Sequence, residues 1–473
     1  MIPYRNIEQA EQIQTPLSND MTSALGLWYD MYMDKSPWKK PKDSDAPTVK
    51  TLNIPAMVCS EIARQVTLEM KCNITAGVTE DGKELQNPRS EYLKAEIEKL
   101  LDVIRLKLEQ GCAAGGMVIK PYPNTDDGHI YFDYAMDWSI YPMGFDDDGY
   151  LSDVIIPDTF KEGKEYYTRL ERHKVTKDGI EITQRAFKSS VPEALGQEVS
   201  LESVPRWAAL QPSTTVKNTD GALFGWYKVA QANSVDLDCP LGASVFAKAV
   251  DVIKEADAQY SRLLWEYEGS ELAVDVDPTA LMPKKTGNGY ELPKLNQRLF
   301  RAVDTGADDT YSVFSPTIRD ASLVNGLNQI LMKIEDLTGL ARGTLSDANI
   351  DARTATELKI VKQRSYATVA DNQKALERCL TDVIRVMDKY ATLYNLAPEG
   401  EYNVSFEWDD SIITDTSAQL QERLLLMNSG IISRSELREW YLGETKEQAK
   451  TAIENIIAEA MASAMASMPQ TEE

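Results

Sequence analysis

The chain has 473 residues, 43% of them hydrophobic, with Trp, Tyr and Phe spread along its length. That is enough apolar material for two or three packed units, and it excludes a disordered chain. Its 74 acidic residues against 50 basic ones give a formal net charge of −24, which argues against a protein that grips nucleic acid through its phosphates, since Lys and Arg supply that affinity.

Residues 1–14 carry Arg5, Glu8 and Glu11 and lack the apolar core of a secretion signal, so the expectation is a product of the cytosol. No apolar run approaches the roughly 20 residues of a membrane span. In chain order, 16–33 predicts a helix carrying Leu25, Leu27, Trp28 and Met31, followed by a polar, Pro-rich loop at 36–47. A helix over 54–70 carries Met57, Val58, Ile62, Val66 and Leu68 at near-helical spacing. A stronger one over 91–110 has Ile97, Leu100, Leu101, Ile104, Leu106 and Leu108 as its apolar face and is expected to stop at Gly111. From 117 to about 190 the period becomes two. Strands are expected at 117–122, 130–134, 139–141 and 151–156, with Asp-Asp-Gly turns at 126–128 and 147–149, and two more within 165–185 around Lys177-Asp178-Gly179.

The remainder is organised differently. Residues 243–270 predict a helix with Phe246, Ile253, Ala256, Leu263 and Leu264 on one side. A non-helical module, 271–317, opens on an alternating strand at 272–276. A second helix spans 320–337 with Leu323, Leu327, Ile330, Leu331 and Ile334, and ends at Gly339. A polar loop, 341–353, precedes the capping box Thr354-Ala355-Thr356-Glu357. No Gly or Pro interrupts 355–396, so at about 1.5 Å per residue that helix is expected to reach roughly 60 Å. A strand at 402–408 and helices at 417–427, 433–442 and 446–465 close the chain. Helices that long, bracketing a small β module, belong to assemblies in which neighbouring copies complete the packing.

Catalytic signatures are missing from the sequence. His129 and His173 lie in no metal-binding spacing. The stretch 242–248 lacks the second glycine and the Ser/Thr of a phosphate loop, and Gly287-Asn288-Gly289 reads as a hairpin turn. Asp146-Asp147-Asp148-Gly149 lacks the alternation of a calcium loop, and no G-x-S-x-G elbow occurs. The five cysteines, Cys59, Cys72, Cys112, Cys239 and Cys379, are odd in number and far apart, the pattern of small buried hydrophobes. The expectation is a structural protein with no catalytic residue, metal or cofactor.

From about Gly225 onward the order of elements resembles the portal proteins of tailed bacteriophages with long non-contractile tails. Locally, Ile334-Glu335-Asp336-Leu337-Thr338-Gly339-Leu340 followed by Thr354-Ala355-Thr356-Glu357 is similar to that family's stem-to-tunnel-loop junction. Trp408-Asp409-Asp410-Ser411-Ile412-Ile413 and Ser429-Gly430-Ile431-Ile432-Ser433 resemble its wing-to-crown passage, and Asn53-Ile54-Pro55 and Gly115-Gly116-Met117 match the N-terminal wing less specifically.

The resemblance implies an α+β, mainly helical portal fold that forms rings. Its parts are a wing at 1–242, a first stem helix at 243–270, a clip at 271–317 and a second stem helix at 318–340. A tunnel loop follows at 341–353, then a wing helix and strand at 354–410 and a crown at 411–473. It also implies about twelve copies around a closed axis, at a capsid vertex of the virion after assembly in the host cytoplasm. Double-stranded DNA would pass through, so an acidic wall that repels phosphate is compatible with the role. The implied partners are the large subunit of the terminase, a head-completion adaptor, and the major capsid and scaffolding proteins. DNA-facing candidates are Arg342, Asp347, Asn349, Asp351 and Arg353 in the loop and Lys248 and Lys254 on the first stem helix; Lys284 and Lys285 are candidates for partner binding in the clip. Each lysine has the alternative of a solvated or intersubunit charge. Two other classes stay open on the residues alone: another ring-forming connector or tail subunit without a channel loop, and a metal-free hydrolase on an unfamiliar fold.

Overall fold

Helices and small sheets alternate along the chain in the computed structural model, which describes all residues except 1, 40–47, 69, 79–83, 220, 277–281, 284–289, 292–299, 303–310, 348–354, 409–415 and 467–473. The chain divides into two units, Met1–Glu407 and Trp408–Glu473. The first holds α1 (Tyr4–Glu11), α2 (Asn19–Tyr32), α3 (Ile54–Thr67), α4 (Pro88–Ala114), α5 (Val250–Gly269), α6 (Asp320–Thr338) and α7 (Ala355–Leu393). The second holds α8 (Thr416–Asn428), α9 (Arg434–Leu442) and α10 (Lys446–Ala466). The mixed α+β class agrees with the sequence reading.

Local chemistry sets most helix ends. Asn87 caps α4 by accepting from the Ser90 N–H, while Ser90 Oγ accepts from the Asn87 N–H. The helix runs through Gly111, where a stop was expected, and ends at Gly115 with φ +93°. The reason is a crossing of two chain segments: a β-carbon on Gly115 would lie 2.4 Å from the Gly242 carbonyl oxygen, and one on Gly242 would lie 1.9 Å from that of Gly115. The same crossing corrects the helix expected from 243. Residues 243–246 are buried, the Val245 N–H donates to the Cys112 carbonyl at 3.0 Å, and α5 starts only at Val250 after a 3₁₀ turn at Ala247–Ala249. Leu106 and Met57, expected on apolar faces, are 64% and 49% exposed.

Two antiparallel sheets carry the first unit. In one, Gly116–Asn124 lies between His129–Met136 and Gly225–Lys228. Helix α7 packs on Gly225, where a β-carbon would fall 2.3 Å from the Cys379 carbonyl oxygen. The other sheet runs Gln197–Val199, Gly179–Ser189, Glu165–Thr176, Leu151–Glu162 and Tyr141–Phe145, with Ser213–Val216 also paired to Gly179–Ser189. The strand expected at 139–141 is a turn, with the Ser139 N–H on the Met136 carbonyl, and the strand itself begins at Tyr141. Helix α1, absent from the sequence reading, buries Ile7 against Tyr141, Ile155, Leu170 and Phe187. The helix expected to reach 70 stops at Thr67, and Met70–Thr75 pairs as a strand with Asn403–Trp408.

Helices α5 and α6 form a hairpin. Glu266 near the end of α5 pairs with Arg319 just before α6 at 2.7 Å, while Asp251 and Glu255 near the start of α5 share a groove with Lys333 near the end of α6. At its tip Ala273–Val276 is the middle strand of three, parallel to Phe300–Ala302 and antiparallel to Tyr311–Phe314. In the second unit, Ser433 and Glu436 cap α9, Gly443 closes it in the left-handed region, and Arg423 stacks on Trp440 at 4.4 Å.

Candidate functional site

Of the residues singled out in the sequence, the described ones, Lys248, Lys254, Arg342 and Asp347, lie on or beside the α5–α6 hairpin and in the loop that follows it. Gly339 ends α6 in the left-handed region (φ +76°), with the Leu340 N–H returning to the Glu335 carbonyl at 3.0 Å. A β-carbon at Gly339 would lie 2.3 Å from Thr368 Oγ1 of α7, so the end of the hairpin is seated on the long helix.

Beyond it the chain wraps around one side chain. Glu335 is fully buried. Its Oε1 accepts from the N–H groups of Leu345 at 2.6 Å, Ser346 at 2.9 Å and Gly343 at 3.2 Å, and its Oε2 accepts from Ser346 Oγ at 2.7 Å. A second side chain of α6 holds the loop farther on. Asn328 Oδ1 accepts from the Asp347 N–H at 2.7 Å, and Asn328 Nδ2 donates to the Asp347 carbonyl at 3.0 Å. Glu335 appeared in the sequence only as part of the junction motif 334–340, and neither it nor Asn328 was singled out as a site residue. The available signal was an acidic residue beside Ile334 on the apolar stripe of α6.

The predicted site residues fall into three groups. Arg342 pairs with Asp336 at 2.8 Å, and that carboxylate raises the guanidinium pKa further; Asp347 is exposed and held by its backbone. Lys248, in the turn before α5, and Lys254, on α5, are exposed and have no hydrogen-bond or ion-pair partner among the described residues. Asn349, Asp351 and Arg353 lie outside the described residues, as do Lys284, Lys285 and the Thr354 cap.

Helix α5 is also gripped from the N-terminal side, at positions with no local sequence signal. Asp257 accepts from Trp38 Nε1 at 2.8 Å and from the Leu52 N–H at 2.9 Å, while burial pushes its carboxyl pKa above the usual range. Ser261 Oγ accepts from the Lys50 N–H at 2.7 Å. The hairpin root is therefore fixed to the body of the first unit. Its flanks expose Trp265, Ile318 and Val324, and its tip exposes Leu272, Tyr311 and Val313. Among the described residues no group of His, Cys, Asp and Glu is arranged to hold a metal ion, and no helix is long and apolar enough to cross a membrane.

Residues 27–463 match the family described as phage portal protein, SPP1 Gp6-like. The chain belongs to that portal family. Portal proteins are structural proteins, and the portal resemblance in the sequence is confirmed over nearly the whole chain. Three solved structures are similar to this portal chain. The virion of a native gene transfer agent particle shares 10% identity at a TM-score of 0.41, covering 94% of this chain and 99% of that one. The neck of the empty particle, computed with C6 symmetry, shares 9% at 0.39, and the neck of the native particle, computed with C12 symmetry, shares 10% at 0.35. Each neck covers 92% of this chain and 97% of its own. No curated protein matches.

Proposed function

We propose that this portal chain assembles into a closed ring at one capsid vertex and that the ring is the conduit for double-stranded DNA during packaging, retention and ejection. On this reading α5 and α6 are the stem helices, the three-stranded module at their tip is the clip, and the loop after α6 is the tunnel loop. The N-terminal region and α7 form the wing, and α8–α10 form the crown. The observation that carries the reading is the family match joined to a helical hairpin that exposes large apolar side chains. Trp265 (67% exposed), Ile318 and Val324 are large apolar groups on a surface that a lone monomer has no use for. A closed ring covers them through two different complementary faces on each copy.

The Tyr311–Phe314 strand supports the same arrangement at the tip. Among the described residues it lies at the edge of its three-stranded sheet with all four residues exposed, and on this reading a strand from the next copy adds beside it. About a dozen copies would place as many hairpins around the axis. The clip, with Lys284 and Lys285, would meet the terminase large subunit during packaging and the head-completion adaptor afterwards. The wing and crown would meet the capsid and scaffolding proteins.

Within an acidic wall, Lys248 and Lys254, which have no ion-pair partner among the described residues, supply positive charge that touches phosphates transiently without gripping them. The double variant Lys248→Gln, Lys254→Gln is expected to form rings of unchanged mass and to yield severalfold fewer DNA-filled particles. Native yields of filled particles from that variant would remove both lysines from the channel.

A further inference from the structure

We propose that Glu335 and Asn328 are the positioning residues of the channel loop, fixing residues 341–347 against α6 and thereby setting where the DNA-facing part of the loop begins. This rests on the channel reading given above. An ionised carboxylate withdrawn from water is costly unless its oxygens are fully bonded. Among the described residues no Lys or Arg makes an ion pair with Glu335; its charge is met by the N–H groups of Gly343, Leu345 and Ser346 and by the Ser346 hydroxyl. Such charge-assisted bonds are about twice as strong as neutral ones.

The helix end does not require this side chain. Gly339 and the Leu340 N–H already terminate α6 through backbone geometry. The Glu335 carboxylate therefore serves the loop. Asn328 lies seven residues earlier on α6, about 10 Å along its axis, and there it pairs with both backbone groups of Asp347. The chain accordingly turns back along the helix between Gly343 and Asp347, held at two heights. All but one of these bonds go to the loop's backbone, so Glu335 and Asn328 fix the path of the loop and take up only the Ser346 side chain. Arg342 adds a third tie, to Asp336.

Glutamine at position 335 does not reproduce these bonds: its one oxygen can keep the N–H groups on Oε1, but its NH2 then replaces the Oε2 that accepts from Ser346 Oγ and the Gly343 N–H, and the charge behind every bond is lost. The experiment compares native, Glu335→Gln and Asn328→Ala rings by hydrogen exchange of the peptide covering 341–347 and by DNA retained in particles carrying each ring. Loss of a charge-assisted bond is expected to speed exchange at Leu345 and Ser346 about tenfold or more in Glu335→Gln, with ring mass and exchange in α5 unchanged and DNA retention reduced. Asn328→Ala, at a half-buried site, gives the same pattern centred on Asp347 and carries the test if Glu335→Gln does not fold. Unchanged exchange in the folded variants overturns the anchor. Faster exchange with native retention overturns its positioning role while leaving the channel reading intact. Native rings that retain no DNA overturn the channel reading, and this inference with it.

Discussion

A Lys120→Met chain is expected to lose about 3 kcal/mol of stability, the low end of what stripping one partner from a buried ion pair costs. Lys120 and Glu171 face each other at 2.9 Å across the two sheets of the first unit, and both are almost fully buried. Burial alone would raise the Glu171 pKa, but Lys120, His173 and Arg169 outweigh it and hold the carboxyl well below its usual range. Arg169 at 3.0 Å and His173 at 2.7 Å stay in place when the lysine is removed, which keeps the loss at the low end. Because the folded-state pKa is depressed, this stabilisation is present above the ordinary carboxylate value of 4.5 and fades as the pH falls through the folded value. The gap between variant and native chain is therefore widest at neutral pH and narrows below about 5. Urea midpoints at several pH values measure it. The double variant Lys120→Met, Glu171→Met should recover little of the loss, since removing Glu171 also takes the shared carboxylate from Arg169 and His173. A single variant as stable as the native chain at pH 7 would show that Lys120 contributes nothing there.

Arg89→Ala is expected to be at least as damaging, by about 3–5 kcal/mol. The side chain is 1% exposed. Its Nε donates to the Pro398 carbonyl at 2.9 Å, and its two terminal nitrogens donate to the Asp388 carbonyl at 3.1 Å and to Thr392 Oγ1 at 3.0 Å. It also pairs with the Asp388 carboxylate at 3.4 Å. One guanidinium thus gathers the last turns of α7 and the segment after it onto the start of α4. Asn87 Nδ2 completes the joint by donating to the Glu401 carbonyl at 2.8 Å. Lysine carries charge without the planar fork and cannot serve these directions together, so Arg89→Lys should recover only a minor part. Thermal melts at fixed protein concentration, with hydrogen exchange over 388–401, provide the measurement. Native stability of the lysine variant would show that charge alone is what the site needs.

Periodicity carried most of the architecture in the sequence. Helix α6 lies where its apolar stripe and Gly339 put it, and α7 spans Ala355–Leu393, three residues short of the reading that rested on its lack of Gly and Pro. The Lys177-Asp178-Gly179 turn correctly placed two strands within 165–185, the second of which runs on to Ser189, since turn residues and alternation act locally. What escaped depends on contacts between distant segments. The Gly115–Gly242 crossing moved the ends of two helices, and neither glycine reveals in sequence that the other lies against it. Buried charge was equally hidden. Asp137 was not singled out in the sequence, yet it is fully buried with Oδ2 unbonded among the described residues, and burial pushes its pKa up to about 7. At the candidate site the residues read from the sequence were polar or charged, because polarity marks a loop, and the described ones, Lys248, Lys254, Arg342 and Asp347, are exposed. The residues that organise the described part of that loop, Glu335 and Asn328, sit on the preceding helix and act on backbone groups, which leave no trace in residue type.

Electron microscopy of the purified protein, viewed along its symmetry axis with native mass as a check, bears most directly on the ring. Closed rings of about a dozen copies, with the α5–α6 hairpins around a central opening wide enough for a duplex, are the expected result. A protein that remains monomeric or dimeric, both alone and when co-expressed with the capsid and scaffolding proteins of its own particle, would contradict a DNA-conducting ring.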